Sequence, residues 1–181
     1  MRGRRVPFRT SDGRDGTVRV ARNADARACL RIVAAIIRER PRTLLVLEHE
    51  IWGVREWKRH RIGWSPEGAT LVAEVGGVLV GQLGVTRGPR PAVRHAAEFG
   101  ITVARDYRGL GVGSALIEAA ESWALEHDVS IMRLGVFVTN PRARALYERL
   151  GYVQDGVETR GARFPEGDID VVRMHKDLAR P

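Results

Sequence analysis

Cysteine is nearly absent from this chain: Cys29 is the only one, so no internal disulfide can form. It falls among the apolar residues of a helical stripe and reads as core. Long hydrophobic runs are missing too. The longest, such as Val33 to Ile37 and Leu44 to Leu47, are far shorter than the ~18 apolar residues of a membrane-spanning helix. The basic N-terminus, Met1 to Gly16, lacks the apolar middle of a secretion signal. The expectation is a cytoplasmic protein with no membrane partner. Lysine is scarce: of the 30 basic residues, only Lys58 and Lys176 are not arginine. The net charge of +8 would suit an anionic ligand, but aromatic residues do not interleave with the arginines and no RNA-binding signature accompanies them. No nucleic-acid partner is therefore expected. No His, Cys and Asp cluster has metal-ligand spacing, so no metal is expected either.

What is present suits a single domain of 181 residues with 44% hydrophobic content. Met1 to Gly16 carries Arg2, Arg4, Arg5, Arg9 and Arg14 with little to bury, and reads as a flexible basic arm. The domain proper is expected over residues 17–178. Thr17 to Ala21 alternates as a first strand. Asn23 is a candidate helix cap, Asp25 suits the first turn, and Ala26, Leu30, Val33 and Ile37 form a helical stripe that ends by Pro41. Thr43 to Trp64 is mixed, with Leu44 to Leu47 ambiguous and Val54 to Arg61 a short polar helix. Its Glu48, His49, Glu50, Trp52, Glu56, Trp57 and Trp64 suggest either the wall of a pocket for a cationic or aromatic group or, preferably, an amphipathic lid with solvated charges.

Ala69 to Val75 and Val78 to Thr86, joined by Gly76 and Gly77, predict a hairpin. His95 to Val103 supplies the next strand. The helix after it sets Leu116, Ala119, Ala120 and Trp123 on one face. Ile131 to Val138 reads as a buried strand. Asn140 and Pro141 then give a cap and a first helical position, with Ala143, Leu146, Tyr147 and Leu150 as the stripe. Tyr152 to Val157 and Asp168 to His175 predict the last strands, separated by a turn region from Gly161 to Gly167.

The strand ending at Val103 runs through V-A-R-D-Y-R-G-L-G-V-G-S into a helix. Gly109, Gly111 and Gly113 remove Cβ atoms where the backbone bends, letting main-chain N–H groups approach an anion at the helix N-terminus. The spacing is not G-x-G-x-x-G, and no G-K-[ST] follows, so the dinucleotide and P-loop readings fail. The stretch instead matches R-x-x-G-x-G through Arg108, Gly111 and Gly113. A second stretch, Asn140 to Tyr152, matches N-x-x-A-x-x-L-Y-x-x-x-G-[FY]. Taken alone, Asn140 is a helix cap and Tyr147 a core aromatic. The two patterns together, in this order, make residues 103–152 resemble the GCN5-related N-acetyltransferase (GNAT) superfamily.

That resemblance implies an α/β (α+β) fold: a mixed, mostly antiparallel central sheet, flanked by helices, whose fourth and fifth strands run parallel and splay apart. It implies acetyl-CoA as cosubstrate, with pantetheine in the opening. Main-chain groups of Ile101 and Val103 would bind the pantetheine amides and the acetyl carbonyl. Arg108, Gly109, Gly111, Gly113 and Ser114 would hold the diphosphate, and Asn140 would touch the pantetheine arm. Tyr147 would protonate the departing thiolate. Glu98, at a place where many relatives carry Glu, would take a proton from the amine, through water; its alternative is a solvated or salt-bridged strand residue. The expected activity is acetyl transfer to a primary amine of a small or amino-acid-like acceptor. Competing readings are a protein N-terminal or lysine acetyltransferase and a non-catalytic acyl-CoA-binding module. Members of the superfamily are often homodimers, so the resemblance makes a homodimer a possible partner arrangement here.

Overall fold

In the computed structural model, residues 5–44, 51, 53–61 and 63–178 are described. Alternating apolar residues build a hairpin at the middle of the fold, Gly68–Val75 (β3) and Val78–Arg87 (β4). Its turn residues Gly76 and Gly77 have φ of 57° and 78°, the left-handed pair that such a hairpin needs. Strands Val6–Arg9 (β1), Asp15–Val20 (β2), Ala96–Val103 (β5), Ile131–Phe137 (β6), Val153–Phe164 (β7) and Gly167–Asp177 (β8) complete one sheet in the order β1-β2-β3-β4-β5-β6-β8-β7. Only β5 and β6 pair in parallel. This is the expected mixed, mostly antiparallel sheet.

The sheet buries both faces at its centre. Leu71 and Ala73 of β3 join Leu116, Ala120 and Trp123 of helix α3 (Val112–Glu126). Val72, pointing the other way, packs with Cys29 of α1 (Ala26–Ile37) and Trp57 of α2 (Val54–His60). Trp123 is wholly buried, and its indole N–H donates to the Ser65 carbonyl at 2.9 Å. Truncating Leu116, also wholly buried, should cost about 2–5 kcal/mol. The fourth helix, α4 (Pro141–Arg149), is capped by Asn140, whose Oδ1 accepts from the Ala143 N–H at 3.2 Å. Among the described residues no helix is long and apolar enough to cross a membrane.

The structure departs from the sequence reading at three places. The arm expected over residues 1–16 contains β1, paired antiparallel with β2. Val6 and Phe8 pack on the core, with the Phe8 ring filling the space that a side chain at Gly16 would take. Residues 1–4, with Arg2 and Arg4, lie outside the described residues. Asn23 does not cap α1: Asn23–Asp25 is a 3₁₀ turn, and Asp25 accepts from the Arg22 N–H at 2.6 Å while pairing with Arg19 at 2.8 Å. The Gly161 to Gly167 turn region shrinks to Pro165 and Glu166, because Ala162 and Phe164 are buried against Phe137 and Val171 and extend the strands.

Candidate active site

The site begins where β5 and β6 part. They pair only at Ala96 with Ile131, Ala97 with Met132 and Glu98 with Arg133. Beyond Glu98, β5 stays with β4 and β6 stays with β8. Antiparallel strands alternate their bonding, and the pairs Gly88 N–H to Ala96 carbonyl and Ala104 N–H to Val80 carbonyl set the phase. Even-numbered residues of β5 bond to β4. The main-chain groups of Ile101 and Val103 therefore face the opening.

A cavity of about 910 Å³ fills this opening and is lined by every site residue expected from the sequence: Glu98, Ile101, Val103, Arg108, Gly109, Gly111, Gly113, Ser114, Asn140 and Tyr147. At one end lies the glycine turn. Gly109 and Gly111 have φ of 80° and 87°, a region where a Cβ is strained. Gly111 ends in the left-handed conformation with no side-chain cap, and the first helical bond is Ala115 N–H to the Gly111 carbonyl at 3.1 Å. The N–H groups of Val112, Gly113 and Ser114 are thus left for an anion at the positive end of a 15-residue helix. The β1–β2 turn braces this loop from behind, Ser11 donating to the Leu110 carbonyl through N–H at 3.3 Å and to the Gly109 carbonyl through Oγ at 3.4 Å.

Arg108 is engaged within the fold. Its guanidinium makes a two-point pair with Glu39, Nη1 to Oε2 at 2.7 Å and Nη2 to Oε1 at 3.0 Å, and its Nε donates to the Val103 carbonyl at 2.9 Å. Tyr147 lies under the cavity wall between Phe99 and Tyr152, with ring centroids 6.1 Å from each. Its hydroxyl has no hydrogen-bond partner among the described residues, and burial pushes its pKa up to about 12. It keeps its proton at neutral pH.

At the other end Glu98 is mostly exposed and paired with Arg173 at 3.3 Å, which also holds Glu158 at 2.8 Å. Glu98 thus lines the cavity and is salt-bridged at once, a placement open to a base and matching the ion-pair alternative. Arg173 lies across β6 because Gly135 has no side chain; a Cβ there would stand 3.0 Å from its Nη1. The chain after α1 crosses this end as a strap. Glu166 in the β7–β8 turn bonds Arg40 at 2.8 Å and Arg42 at 2.8 and 3.0 Å, and the Thr139 hydroxyl donates to the Arg42 carbonyl at 3.3 Å. Thr43 and Leu44 line the cavity behind it.

The tryptophans of this region do not. Trp57 and Trp64 are buried in the two cores, which is where amphipathic segments of this kind put their apolar side. Glu56 is exposed. Glu48, His49, Glu50 and Trp52 lie outside the described residues. Sequence reasoning missed Arg173, Arg142 and Thr102 as lining residues. Thr102 is nine-tenths buried, and its Oγ1 has no partner among the described residues, yet as one alternating residue of a strand it gave no signal. Arg142 stood inside the second motif at an unspecified position.

The model of the Acetyltransferase (GNAT) family matches residues 35–152. The L-amino acid N-acetyltransferase AaaT of Escherichia coli (strain K12) is 34% identical over 102 residues, covering 54% of this chain and 61% of that protein, so the chain spans only part of that relative's length. A GCN5-related N-acetyltransferase from Kribbella flavida has a similar structure, with a TM-score of 0.78 and 26% identity over 90% of this chain and 98% of that one. The phosphinothricin acetyltransferase (Pat) from Sinorhizobium meliloti, solved in complex with AcCoA, shares the fold at a TM-score of 0.80 and 21% identity, over 91% and 89% of the two chains.

Proposed function

Because the chain belongs to the acetyltransferase (GNAT) family, in which acetyl-CoA is the cosubstrate, we propose that it transfers an acetyl group directly to the primary amine of a small, amino-acid-like acceptor in the cytoplasm. The observation that carries this reading is the meeting of Tyr147, Glu98, the main-chain edge of Ile101 and the Val103 N–H on one cavity. Uncapped N–H groups at the start of α3 and the unpaired Thr102 hydroxyl fit a diphosphate and a polar arm in the same opening.

Acetyl-CoA supplies an activated acyl group as a thioester. A primary amine with a reference pKa of about 10.4 is mostly protonated at neutral pH, so Glu98 takes a proton from it, through water. The Val103 N–H donates to the carbonyl oxygen as negative charge builds there. As the C–N bond forms and the C–S bond breaks, the Tyr147 hydroxyl gives its proton to the departing sulfur, and the second proton lost by the amine nitrogen restores it. No residue of the chain need carry the acetyl group. Cys29, the only thiol, sits wholly buried against α2, and burial pushes it up to about 12.

A small acceptor is supported by the charged groups at this end of the cavity. Arg40 and Arg42 are tied to Glu166 beside Thr43 and Leu44, which line it. Glu98 and Arg173 set a carboxylate and a guanidinium 3.3 Å apart, complementary to the ammonium and carboxylate of an amino acid. The testing experiment is free-thiol release from acetyl-CoA against amino acids, the amines lacking their carboxylates, polyamines and short peptides. Acceptor-dependent release greatest with an amino acid supports the reading. Release with peptides alone would replace it with the protein-acceptor reading, and coenzyme binding with no release for any acceptor would favour a binding module.

A further inference from the structure

Arg108 opens the glycine motif, but its charge is neutralised by Glu39 and its Nε is fixed to the Val103 carbonyl. A diphosphate approaching the loop therefore meets a pair of zero net charge. The first turn of α3 offers N–H groups, equivalent to only about half a positive charge. A dianion held there needs a further cation.

Arg142 is so placed. It is the second residue of α4, and its Nη2 lies 2.7 Å from the position a Cβ of Gly109 would occupy. The guanidinium thus rests on the bare face of the glycine loop, where the missing side chain makes room for it. Arg142, Gly109 and Gly111 line the same cavity. Arg142 has no hydrogen bond or ion pair among the described residues, in contrast to Arg108 and Arg173, which line the same cavity; Arg149 lines it too, but it is Arg142 whose guanidinium lies against Gly109.

Building on the acetyl-CoA reading, we propose that Arg142 is a diphosphate-binding residue, which grips the anion from α4 while the N–H groups of Val112, Gly113 and Ser114 hold it from α3. Arg108 then acts within the protein, tying the loop to α1 and to the Val103 carbonyl. A guanidinium suits this work because its planar fork can engage two phosphate oxygens.

The coenzyme carries phosphate at the diphosphate and at the ribose 3′ position, so the test separates them. Calorimetry on the full chain would measure binding of CoA, 3′-dephospho-CoA and pantetheine to the wild type, Arg142→Gln and Arg142→Lys. The expected result is a loss of about ten- to hundred-fold for CoA and dephospho-CoA alike in Arg142→Gln, in line with a charge-assisted hydrogen bond, with pantetheine unchanged and Arg142→Lys intermediate. A loss seen with CoA but not with dephospho-CoA would overturn the diphosphate assignment in favour of the 3′-phosphate. Equal weakening of all three ligands, or no weakening, would remove Arg142 from phosphate binding. A wild type that binds none of them would instead sink the acetyl-CoA reading itself.

Discussion

The two ends of the cavity are made of different material. At the glycine loop the groups that face the opening belong to the main chain: the N–H groups that begin α3 and the edge of β5 at Ile101 and Val103. At the far end they are the charged side chains of Glu98 and Arg173, backed by the ion pairs of Arg173 with Glu158 and of Arg40 and Arg42 with Glu166, brought from the tail of α1 and from three strands and a turn. A main-chain site depends on backbone shape and is fixed by the few glycines that allow that shape. A side-chain site depends on which charges happen to sit at exposed positions. With the proposed coenzyme at the loop and the proposed acceptor at the far end, the two recognitions are separable, and the far end could change its chemistry without disturbing the loop.

The sharpest way to break this division is at Tyr147, which sits between the ends. Tyr147→Phe removes only the hydroxyl, which has no partner to lose among the described residues, and keeps the ring packed on Phe99. If that hydroxyl protonates the leaving sulfur, turnover should fall by about 10²–10⁴-fold with coenzyme affinity nearly intact. Unchanged turnover with a good acceptor would end its role as acid. Glu98→Gln is the next largest effect, about ten- to hundred-fold in kcat/KM. Arg173 keeps Glu158 as partner, so the strand should hold. The loss should deepen towards lower pH, where more of the acceptor is protonated and a proton acceptor matters more. A rate profile displaced evenly at all pH values would mean that Glu98 binds the acceptor and does not deprotonate it.

The same division explains what could be read before any coordinates. The loop end was legible because its requirement is local: Gly111 at φ 87° and the R-x-x-G-x-G spacing lie within one short stretch. The strand and helix periods on either side were legible for the same reason, and so was the Asn140 cap. The far end was not. Arg42 and Glu166 are 124 positions apart, and Glu98 and Arg173 75, and nothing in an exposed arginine signals which carboxylate it will meet. The β1 strand was hidden differently. Val6 and Phe8 are a short apolar pair among arginines, and only pairing with β2 gives them a surface to bury. The tryptophans were readable as the apolar side of an amphipathic segment, and the less favoured pocket-wall alternative fails because the cores bury Trp57 and Trp64.

The loop end can be probed by shape alone. Gly111→Ala leaves every charge in place but puts a Cβ at φ 87°, a strain of about 1–2 kcal/mol. Relief of that strain would turn the N–H groups of the first turn away from the opening. Coenzyme affinity should fall by about tenfold, matching that strain at 1.4 kcal/mol per decade, while the acceptor KM at saturating coenzyme stays the same. A change confined to the acceptor KM would contradict the separation of the two ends.

The smallest expected effect lies at the strap, and it tests the other half of the separation. Glu166→Gln removes the charge that Arg40 and Arg42 share, but the strap keeps the Thr139 bond and Arg42 over the Phe164 ring at 4.7 Å. Exposed ion pairs are weak and screened by salt, so the acceptor KM should rise only about two- to five-fold, with coenzyme binding unaltered. The hydrogen bond from Arg42 holds the Glu166 carboxyl down to about 2, against about 4.3 for an unpaired glutamate. The closed strap is therefore favoured in full above the unpaired value, and that preference is lost only as pH falls from there towards 2. Between about pH 6 and 9 both states are ionised. The KM ratio of variant to wild type should be level across that range and should shrink towards one as salt is raised. A ratio that varies with pH there would assign the strap to another titrating group, and one indifferent to salt would mean that the Glu166 charge does not hold it closed.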